Sequence, residues 1–397
     1  MRYDAIIIGS GPAGATAALM LARSGWSVAI VEKSRFPRRK VCGEFISATS
    51  MPLLDELGLL DDFLQRAGPE VQRVGLFAKD IVLTAPMPRA MNRSGQCGRA
   101  LGRERLDLLV LQAAQRAGAK VWQPWKATRL HRSGTDYDCM ITSADGSEEL
   151  TAPIVIAAHG SWEHGTLPSH NSIAHKPSDL LAFKAHFTNC DLAADLMPLL
   201  AFPGGYGGMV HSDGERVSLS CCIRRDQLKE CRRTFNGAHA AETVLHHIKM
   251  SCAGVREALH HAKLDHVWLS AGPIHPGLRQ CYMDGIFLIG NCAGEAHPVV
   301  AEGISMAMQS AALLCRRLIA RQADTLAGQG MVAIGNDYTM EWKRLFAPRI
   351  YAAALFANLA MSPVAAVLLL PLLKFSPRML TFGAHLSGKT NHATVET

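Results

Sequence analysis

The stretch Tyr3-Asp4-Ala5-Ile6-Ile7-Ile8-Gly9-Ser10-Gly11-Pro12-Ala13-Gly14 joins a short β-branched run to three closely spaced glycines. An apolar helical run follows as far as Arg23, and a second apolar run, Val28–Val31, leads to Glu32. This order of strand, glycine-rich turn, helix, strand and acid is typical of a dinucleotide-binding βαβ unit. We therefore predict a Rossmann-like α/β fold in this part of the chain.

The three glycines have different roles in such a unit. Gly9 permits the tight turn, Gly11 lets backbone N–H groups approach a pyrophosphate, and Gly14 lets the helix pack closely on the strand. The pyrophosphate lies at the positive end of the helix, and Glu32 is placed to accept a hydrogen bond from a ribose hydroxyl. The predicted cofactor-binding residues of this unit are Gly9, Gly11, Pro12, Ala13, Gly14, Glu32 and Lys33.

The composition favours a folded chain with a large core. Of the 397 residues, 48% are hydrophobic and 19% are charged, a balance that argues against a disordered protein. The formal net charge of +7 is mild at this length, and the basic residues are scattered apart from a cluster at residues 35–40. We therefore expect weak attraction for anionic cofactors and no nucleic-acid partner.

The cysteine and histidine patterns indicate a reduced compartment and no metal site. The 11 cysteines are odd in number and contain no CxxC pair, and no secretory segment precedes the first strand. The 17 histidines form no HExxH motif and no cysteine–histidine quartet. We therefore predict a cytoplasmic protein that binds no metal.

Further apolar runs suggest how the rest of the chain is divided. Helices are expected at residues 51–67, 106–118 and 303–321, and buried strands at residues 154–158 and 286–289. Residues 176–280 alternate between apolar and polar positions and carry glycine-rich turns, which predicts a largely antiparallel sheet. The predicted units are a discontinuous nucleotide-binding domain at 1–175 and 281–325, an inserted substrate domain at 176–280, and a helical, apolar C-terminal region at 326–397.

A long uncharged stretch, residues 350–373, lies between Arg349 and Lys374. Its 24 residues are enough to span a membrane, but Pro363 and Pro371 interrupt the pattern. Three interpretations stay open: helices buried against the substrate domain, a face that touches a membrane or an apolar substrate, and a true membrane span. The second of these predicts peripheral membrane association.

Three blocks in this order resemble a known superfamily. They are residues 9–32, Arg103-Glu104-Arg105-Leu106-Asp107, and Phe287-Leu288-Ile289-Gly290-Asn291-Cys292-Ala293-Gly294-Glu295-Ala296-His297-Pro298. Together they resemble the FAD-dependent oxidoreductases that include aromatic hydroxylases (group A flavin monooxygenases), geranylgeranyl reductases and flavin halogenases. The resemblance covers roughly residues 1–320 and implies FAD as the cofactor.

The resemblance implies further cofactor-binding residues. Arg103 would lie near the pyrophosphate or the ribityl region, and Gly290 and Asn291 near the ribityl chain. Pro298 and Gly303 would lie in the turn before a helix that faces the flavin. Asn291 stands where the family has an aspartate, and His159 replaces another family aspartate after the middle strand. The electron donor implied is NADH or NADPH, or a separate flavin reductase.

The candidate catalytic residues are Glu44 and His297, as proton-handling groups, and Cys42, whose segment Lys40-Val41-Cys42-Gly43-Glu44 resembles the reductase branch. The first hypothesis is an FAD-dependent monooxygenase that hydroxylates an aromatic or polyketide-type substrate through a flavin C4a-hydroperoxide, in natural-product or maturation biosynthesis. Two alternatives stay open: an FAD-dependent reductase of isoprenoid-type double bonds, and a flavoprotein that modifies a side chain of a protein or peptide partner.

Overall fold

A computed structural model describes the chain at residues 1–88, 97–162, 165–170, 175–235, 239–326 and 330–389. Residues 327–329 and 390–397 of the predicted C-terminal region therefore lie outside the described ranges. The strands, in chain order, are β1 (Ala5–Ile8), β2 (Val28–Val31), β3 (Phe45–Ile46), β4 (Arg73–Ala78), β5 (Ile81–Pro86), β6 (Arg99–Ala100), β7 (Lys120–Trp122), β8 (Lys126–Ser133), β9 (Asp136–Ser143), β10 (Gly146–Ala152), β11 (Ile154–Ala157), β12 (Leu180–Thr188), β13 (Leu196–Phe202), β14 (Gly205–His211), β15 (Val217–Arg224), β16 (Lys263–Ile274), β17 (Gly277–Leu278), β18 (Tyr282–Met283), β19 (Ile286–Leu288) and β20 (Gly294–Glu295). The helices are α1 (Pro12–Arg23), α2 (Met51–Glu56), α3 (Leu60–Arg66), α4 (Arg103–Arg116), α5 (Arg225–Thr234), α6 (Ala240–Ser251), α7 (Ala253–Ala258), α8 (Gly303–Ala320), α9 (Gln322–Leu326), α10 (Met331–Met361), α11 (Pro363–Phe375) and α12 (Arg378–Ala384).

A six-stranded sheet carries the predicted βαβ unit. Its order is β18-β19-β11-β1-β2-β7, and every neighbouring pair from β19 to β7 is parallel. In the register, Ile7 pairs with Ile30 on one side and with Ile156 on the other. Strands β1, β2 and β11 are buried at every position, as expected for a parallel sheet covered on both faces. The predicted α/β fold is therefore confirmed.

Helix α1 begins directly after the glycine-rich turn. Gly11 is its N-cap and Pro12 occupies the first helical position, where the N–H that proline lacks would have no intrahelical partner. The helix ends at Arg23, and the chain then turns at Gly25, whose φ of +84° is readily adopted only by glycine. This places the N-terminus of α1 at the carboxyl end of β1, where open α/β sheets bind ligands.

A seven-stranded sheet forms the second large layer, in the order β16-β12-β15-β14-β13-β4-β5. All its neighbouring pairs are antiparallel except β13 and β4, which are parallel. Strands β4 and β5 come from residues 73–86, so the predicted substrate domain at 176–280 omits two strands of this sheet. Sequence alternation within 176–280 could not reveal strands recruited from a distant part of the chain. The exact domain boundaries stay a prediction.

The helix predicted at residues 51–67 and the uncharged stretch at residues 350–373 are each divided between two helices. The run at residues 51–67 forms α2 and α3, because Gly58 at φ +59° reverses the backbone between them. The uncharged stretch at residues 350–373 is divided between α10 and α11, where Ser362 caps α11 by accepting from the Ala365 N–H at 3.2 Å and Pro363 takes the first helical position. None of the helices within the described ranges has the length and hydropathy that crossing a membrane requires.

Candidate active site

A cavity of about 850 Å³ runs from the glycine-rich turn to the C-terminal helices. The βαβ unit, the segment before α8, one face of the seven-stranded sheet and helices α10–α12 all contribute to its wall. Of the predicted cofactor-binding residues, those that line it are Gly9, Gly11, Pro12, Ala13, Glu32, Lys33, Arg103, Gly290, Asn291, Pro298 and Gly303. The structure thus brings together residues that lie almost 300 positions apart in the chain.

The glycine-rich turn has the shape that a diphosphate needs. A Cβ at Gly9 would lie 2.6 Å from the Ala158 carbonyl oxygen, and a Cβ at Gly14 would overlap the Gly9 carbonyl oxygen. These two glycines therefore allow the turn and its helix to pack tightly, and Gly14 acts without lining the cavity. A Cβ at Gly11 would meet only the Arg103 guanidinium, at 3.7 Å, so this position is open toward the cavity.

The Glu32 carboxylate lies beside the glycine-rich turn and is held by hydrogen bonds and an ion pair. It accepts hydrogen bonds from the backbone N–H of Ser10 at 3.1 Å and of Ser34 at 2.8 Å, and it pairs with Arg38 at 3.2 Å. Burial would raise its pKa, but Arg38 and these hydrogen bonds outweigh burial and lower the pKa. Glu32 therefore remains an acceptor at neutral pH, as a ribose hydroxyl requires.

Cations surround the same part of the cavity. Arg103 makes a two-pronged ion pair with Asp107, with both N–O distances 2.7 Å. Lys40 lies 5.6 Å from the Trp162 ring, and burial together with the neighbouring Arg103 and Arg38 lowers its pKa to about 8. A diphosphate would relieve the repulsion among these three cations.

Asn291 is held by an acid that follows it by four residues. Its side-chain Nδ2 donates to Glu295 Oε1 at 3.0 Å, and Glu295 also lies 3.5 Å from Arg279. Burial raises the pKa of Glu295, even though Arg279 acts in the opposite direction. One N–H of the amide is used in this way, and its carbonyl oxygen is available to accept a hydrogen bond, as the family's aspartate would.

Glu44 is a buried carboxylate with several close partners. It forms an ion pair with Lys184, lies 2.8 Å from His186 Nε2, and accepts from the Arg103 backbone N–H at 3.2 Å. Burial would raise its pKa, but Lys184 and His186 lower the pKa far below the usual range. Glu44 lines the cavity wall, yet near neutral pH it holds no proton to give.

His297 and Cys42 occupy different positions at the cavity. The His297 Nδ1 lies 3.1 Å from the Tyr206 hydroxyl, and burial lowers the histidine pKa to about 4, so its ring is neutral at pH 7. Tyr206 lines the cavity, whereas His297 stands behind it. Cys42 lines the cavity directly, and its sulfur accepts from the Glu44 N–H at 3.4 Å. The catalytic roles of Glu44, His297 and Cys42 stay predictions.

Several site residues were not among the sequence-based candidates. Lys184 and His186 come from β12, 140 and 142 residues beyond Glu44, and Tyr206 comes from β14. Lys184 and His186 interrupt an otherwise apolar run, Ala182–Phe187, which was a usable signal because buried charges require partners. His159, in place of the family's aspartate, also lines the cavity and lies 2.9 Å from the Ser169 hydroxyl.

Beyond these polar groups the cavity becomes an apolar chamber. One wall is a face of the seven-stranded sheet and the other is formed by the C-terminal helices. The large apolar side chains of the chamber are Leu76, Met197, Leu199, Met209, Phe356, Leu359, Leu369, Leu370, Leu373, Met379, Leu380, Phe382 and Leu386. A chamber of this composition suits a ligand with a long apolar part.

Comparison with a family model identifies the class of protein. Residues 2–346 match the family described as FAD binding domain, and the chain belongs to that family. The adenosine and diphosphate parts of FAD fit this site. It offers the glycine-rich turn, the acceptor Glu32, and the cations Arg38, Lys40 and Arg103. The chain thus carries the FAD-binding domain of this family.

Curated relatives are distant. The chain is 25% identical over 341 residues to conditioned medium factor receptor 1 of Dictyostelium discoideum, a match that covers 80% of the chain and 63% of that relative. It is 24% identical to a digeranylgeranylglycerophospholipid reductase of Methanocaldococcus jannaschii, covering 77% of the chain and 74% of the relative. The chain thus spans less than two thirds of the first of these relatives.

Solved structures share the fold over nearly the whole chain. The flavin-dependent brominase Bmp2 superposes with a TM-score of 0.76 at 17% identity, covering 98% of this chain and 94% of the brominase. PqsL of P. aeruginosa, solved with 2-aminobenzoylacetate, has a TM-score of 0.71 at 16% identity and covers 92% of this chain and 98% of its own. At these identities the likeness establishes the fold alone.

Proposed function

We propose that this protein is an FAD-dependent monooxygenase that hydroxylates an aromatic or polyketide-type substrate carrying an apolar chain. The observation that carries the proposal is the Tyr206–His297 pair, whose tyrosine lines the cavity. Both groups are neutral at pH 7, since burial raises the pKa of Tyr206 well above its usual range and lowers that of His297. FAD supplies the electron and oxygen chemistry when it is bound.

We expect this pair to favour a phenol or ketone over a pure hydrocarbon. The oxygen of such a substrate would be a hydrogen-bond partner for the Tyr206 hydroxyl, and its apolar chain would fill the space between the sheet and α10–α12. A hydrocarbon would gain nothing from this pair, because buried polar groups favour ligands that hydrogen-bond to them. The apolar walls exclude water from the reacting atoms.

Reduction of isoprenoid-type double bonds is the second candidate. The observation in its favour is the apolar chamber itself, together with the archaeal relative named as a digeranylgeranylglycerophospholipid reductase. PqsL, described as a probable FAD-dependent monooxygenase, shares the fold with this chain and does not decide between the two candidates. Direct use of NADH or NADPH, a separate flavin reductase, and a protein or peptide substrate stay predictions.

The test compares two probe substrates under oxygen. The FAD-loaded enzyme is supplied with NADH, with NADPH, or with an external flavin reductase, and is incubated with para-nonylphenol or with geranylgeraniol in isotopically heavy oxygen. Hydroxylation of the phenol with incorporation of labelled oxygen is the expected result. The addition of two hydrogens to geranylgeraniol, without oxygen incorporation in either probe, would overturn the proposal in favour of the reductase.

The variant Tyr206→Phe sharpens this test. It keeps the ring volume and removes the hydroxyl, so a loss of phenol hydroxylation with unchanged FAD binding is expected. A matched control is Tyr351→Phe, because Tyr351 is 63% exposed and does not line the cavity. Full activity of Tyr206→Phe would remove the observation on which the choice of a polar substrate depends.

A further inference from the structure

The C-terminal helices present large apolar side chains to solvent. On α10 they recur at every fourth position, and on α11 at spacings of four and three, which places them on one stripe of each helix. Phe375, at the end of α11, is 94% exposed. The exposed set is Tyr351, Leu355, Leu359, Val364, Leu368, Leu372, Phe375, Met379, Phe382 and Leu386. Large apolar side chains exposed in such numbers on one segment mark an interaction surface. We call these ten residues the apolar face.

The charge of this segment has one sign. No aspartate or glutamate occurs in residues 342–395, whereas six lysines and arginines do: Lys343, Arg344, Arg349, Lys374, Arg378 and Lys389. Lys374 and Arg378 are exposed and lie on either side of Phe375 in the sequence. Within the described part of the chain, neither of these two cations forms an ion pair with a carboxylate. An apolar face with flanking cations and no acids is complementary to an anionic lipid surface.

The apolar face is continuous with the active-site chamber. Leu359, Met379, Phe382 and Leu386 are exposed to solvent and also line the cavity that reaches the glycine-rich turn. A ligand with a long apolar chain would stay in contact with apolar side chains as it moves from the apolar face into the chamber. The helices that close the chamber therefore also form its approach from outside.

We propose that the apolar face docks this protein on an anionic phospholipid membrane, from which the apolar substrate enters the chamber. The inference rests on the proposed function, because it assigns the source of that substrate. A second copy of the chain is a poor occupant, since residues 342–395 of that copy would offer no carboxylate to pair with Lys374 and Arg378. The acyl chains of an anionic bilayer would contact the apolar face, and its head groups would attract the cations.

Vesicle sedimentation tests the docking directly. The full-length FAD-loaded protein is mixed with vesicles of phosphatidylcholine alone, or of four parts phosphatidylcholine to one part phosphatidylglycerol. We expect binding to the anionic vesicles that weakens as salt is added, and weaker binding to the neutral ones. Failure to bind the anionic vesicles, or a dimer formed through this face in light scattering, would overturn the proposal.

Two variants separate the apolar and ionic contributions. Leu368→Ser with Phe375→Ser removes inserted side chains and should weaken vesicle binding roughly tenfold or more. Lys374→Gln with Arg378→Gln should weaken it by roughly fivefold per cation and flatten its salt dependence. The matched control is Met250→Ser with Val267→Ser, which removes side chains that are 65% and 72% exposed elsewhere on the surface. Equal binding by all of these proteins would overturn the docking proposal.

The vesicle assay and the hydroxylation assay test the docking and the proposed function separately. Hydroxylation of para-nonylphenol is measured without vesicles, so an enzyme that hydroxylates the phenol and ignores anionic vesicles contradicts the docking alone. A protein that binds the vesicles and never incorporates oxygen contradicts the function alone. Unchanged melting temperature and FAD content of each variant exclude loss of folding as the cause.

Discussion

Gly11 and Gly14 belong to one motif but act through different physical constraints. A Cβ at Gly14 overlaps the Gly9 carbonyl oxygen, so the constraint lies within the protein. A Cβ at Gly11 has only Arg103 within 4 Å and points into the space that a diphosphate would occupy. The motif therefore combines a packing requirement with a binding requirement.

The two alanine variants should separate these requirements. We expect Gly14→Ala to lower the free energy of unfolding by roughly 1–3 kcal/mol, because the backbone must shift to relieve the overlap. Gly11→Ala should leave apoprotein stability unchanged and weaken FAD binding roughly tenfold or more, through lost hydrogen bonds to charged oxygens. Denaturant titration of the apoprotein and titration with FAD give the two values. Equal effects of both variants on both quantities would contradict this assignment.

The Asn291–Glu295 pair places a carboxyl group four residues beyond the position where the family has an aspartate. Glu295 fixes the orientation of the amide through the 3.0 Å hydrogen bond from Asn291 Nδ2. Glu295→Leu removes that acceptor, and we expect the affinity for FAD to fall roughly tenfold. Fluorescence titration of the apoprotein with FAD measures the change. Glu295→Gln keeps an acceptor oxygen and should retain most of the affinity, so equal losses in the Leu and Gln variants would count against a positioning role.

At the scale of elements, Lys389 fastens the end of the described C-terminal segment at a buried position. Lys389 Nζ donates to the Val300 carbonyl oxygen at 2.8 Å and pairs with Glu302 at 3.0 Å, directly before α8 begins. The same ammonium lies 4.8 Å from the centre of the Phe45 ring. These contacts hold the residues that follow α12 against the turn that precedes α8.

Removal of that contact should loosen the chamber wall. Lys389→Met leaves the carboxylate of Glu302 buried without its cation, so we expect a loss of about 3–5 kcal/mol in the free energy of unfolding of this segment. Limited proteolysis should then cleave within residues 376–389 faster than in the unchanged protein. Lys374→Met is the matched control, because Lys374 is exposed, and it should leave the cleavage rate unchanged. Equal cleavage of both variants would argue against Lys389 as the fastening point.

The elements also show what sequence patterns could predict. The βαβ unit followed from local signals, since its glycines, proline and acid all act within 30 residues of each other. Strands β4 and β5 join a sheet whose other strands begin at Leu180, and no local periodicity carries that pairing. Gly58 was a usable signal that the helix expected at 51–67 is divided, because glycine readily adopts a positive φ. The observed φ of +59° is incompatible with a continuous helix. The partners of Glu44 lie too far along the chain for spacing to reveal them.

At the scale of the whole molecule, a buried ion cluster joins the nucleotide-binding part to the seven-stranded sheet. Glu44 precedes β3, while Lys184 and His186 lie on β12, and all three side chains are fully buried. His186 Nδ1 also lies 3.4 Å from Arg39 Nη2, which extends the cluster toward the basic loop. Glu44 adopts φ +65°, so the backbone itself is held in an unfavourable region to bring the carboxylate to its partners.

Because such a cluster has lost its hydration, the loss of one member should cost more than the loss of the pair. Glu44→Gln leaves Lys184 buried without its carboxylate, and we expect it to lower the free energy of unfolding by about 3–5 kcal/mol. The double variant Glu44→Gln with Lys184→Met replaces the pair with neutral groups of similar volume and should recover most of that loss. Denaturant titrations of the single and double variants measure the difference. A double variant no more stable than Glu44→Gln would contradict an ion pair of this kind.

The same cluster makes the free energy of unfolding depend on pH under acidic conditions. The folded pKa of Glu44 lies below its unfolded value of about 4.5, so its ionised form stabilises the protein at pH above that value. The stabilisation is lost progressively as the pH falls through the interval between the unfolded and folded pKa values. We therefore expect the free energy of unfolding to fall more steeply below about pH 4.5 in the unchanged protein than in the double variant. Parallel acid titrations of the two proteins would contradict this and would place the acid-sensitive group elsewhere.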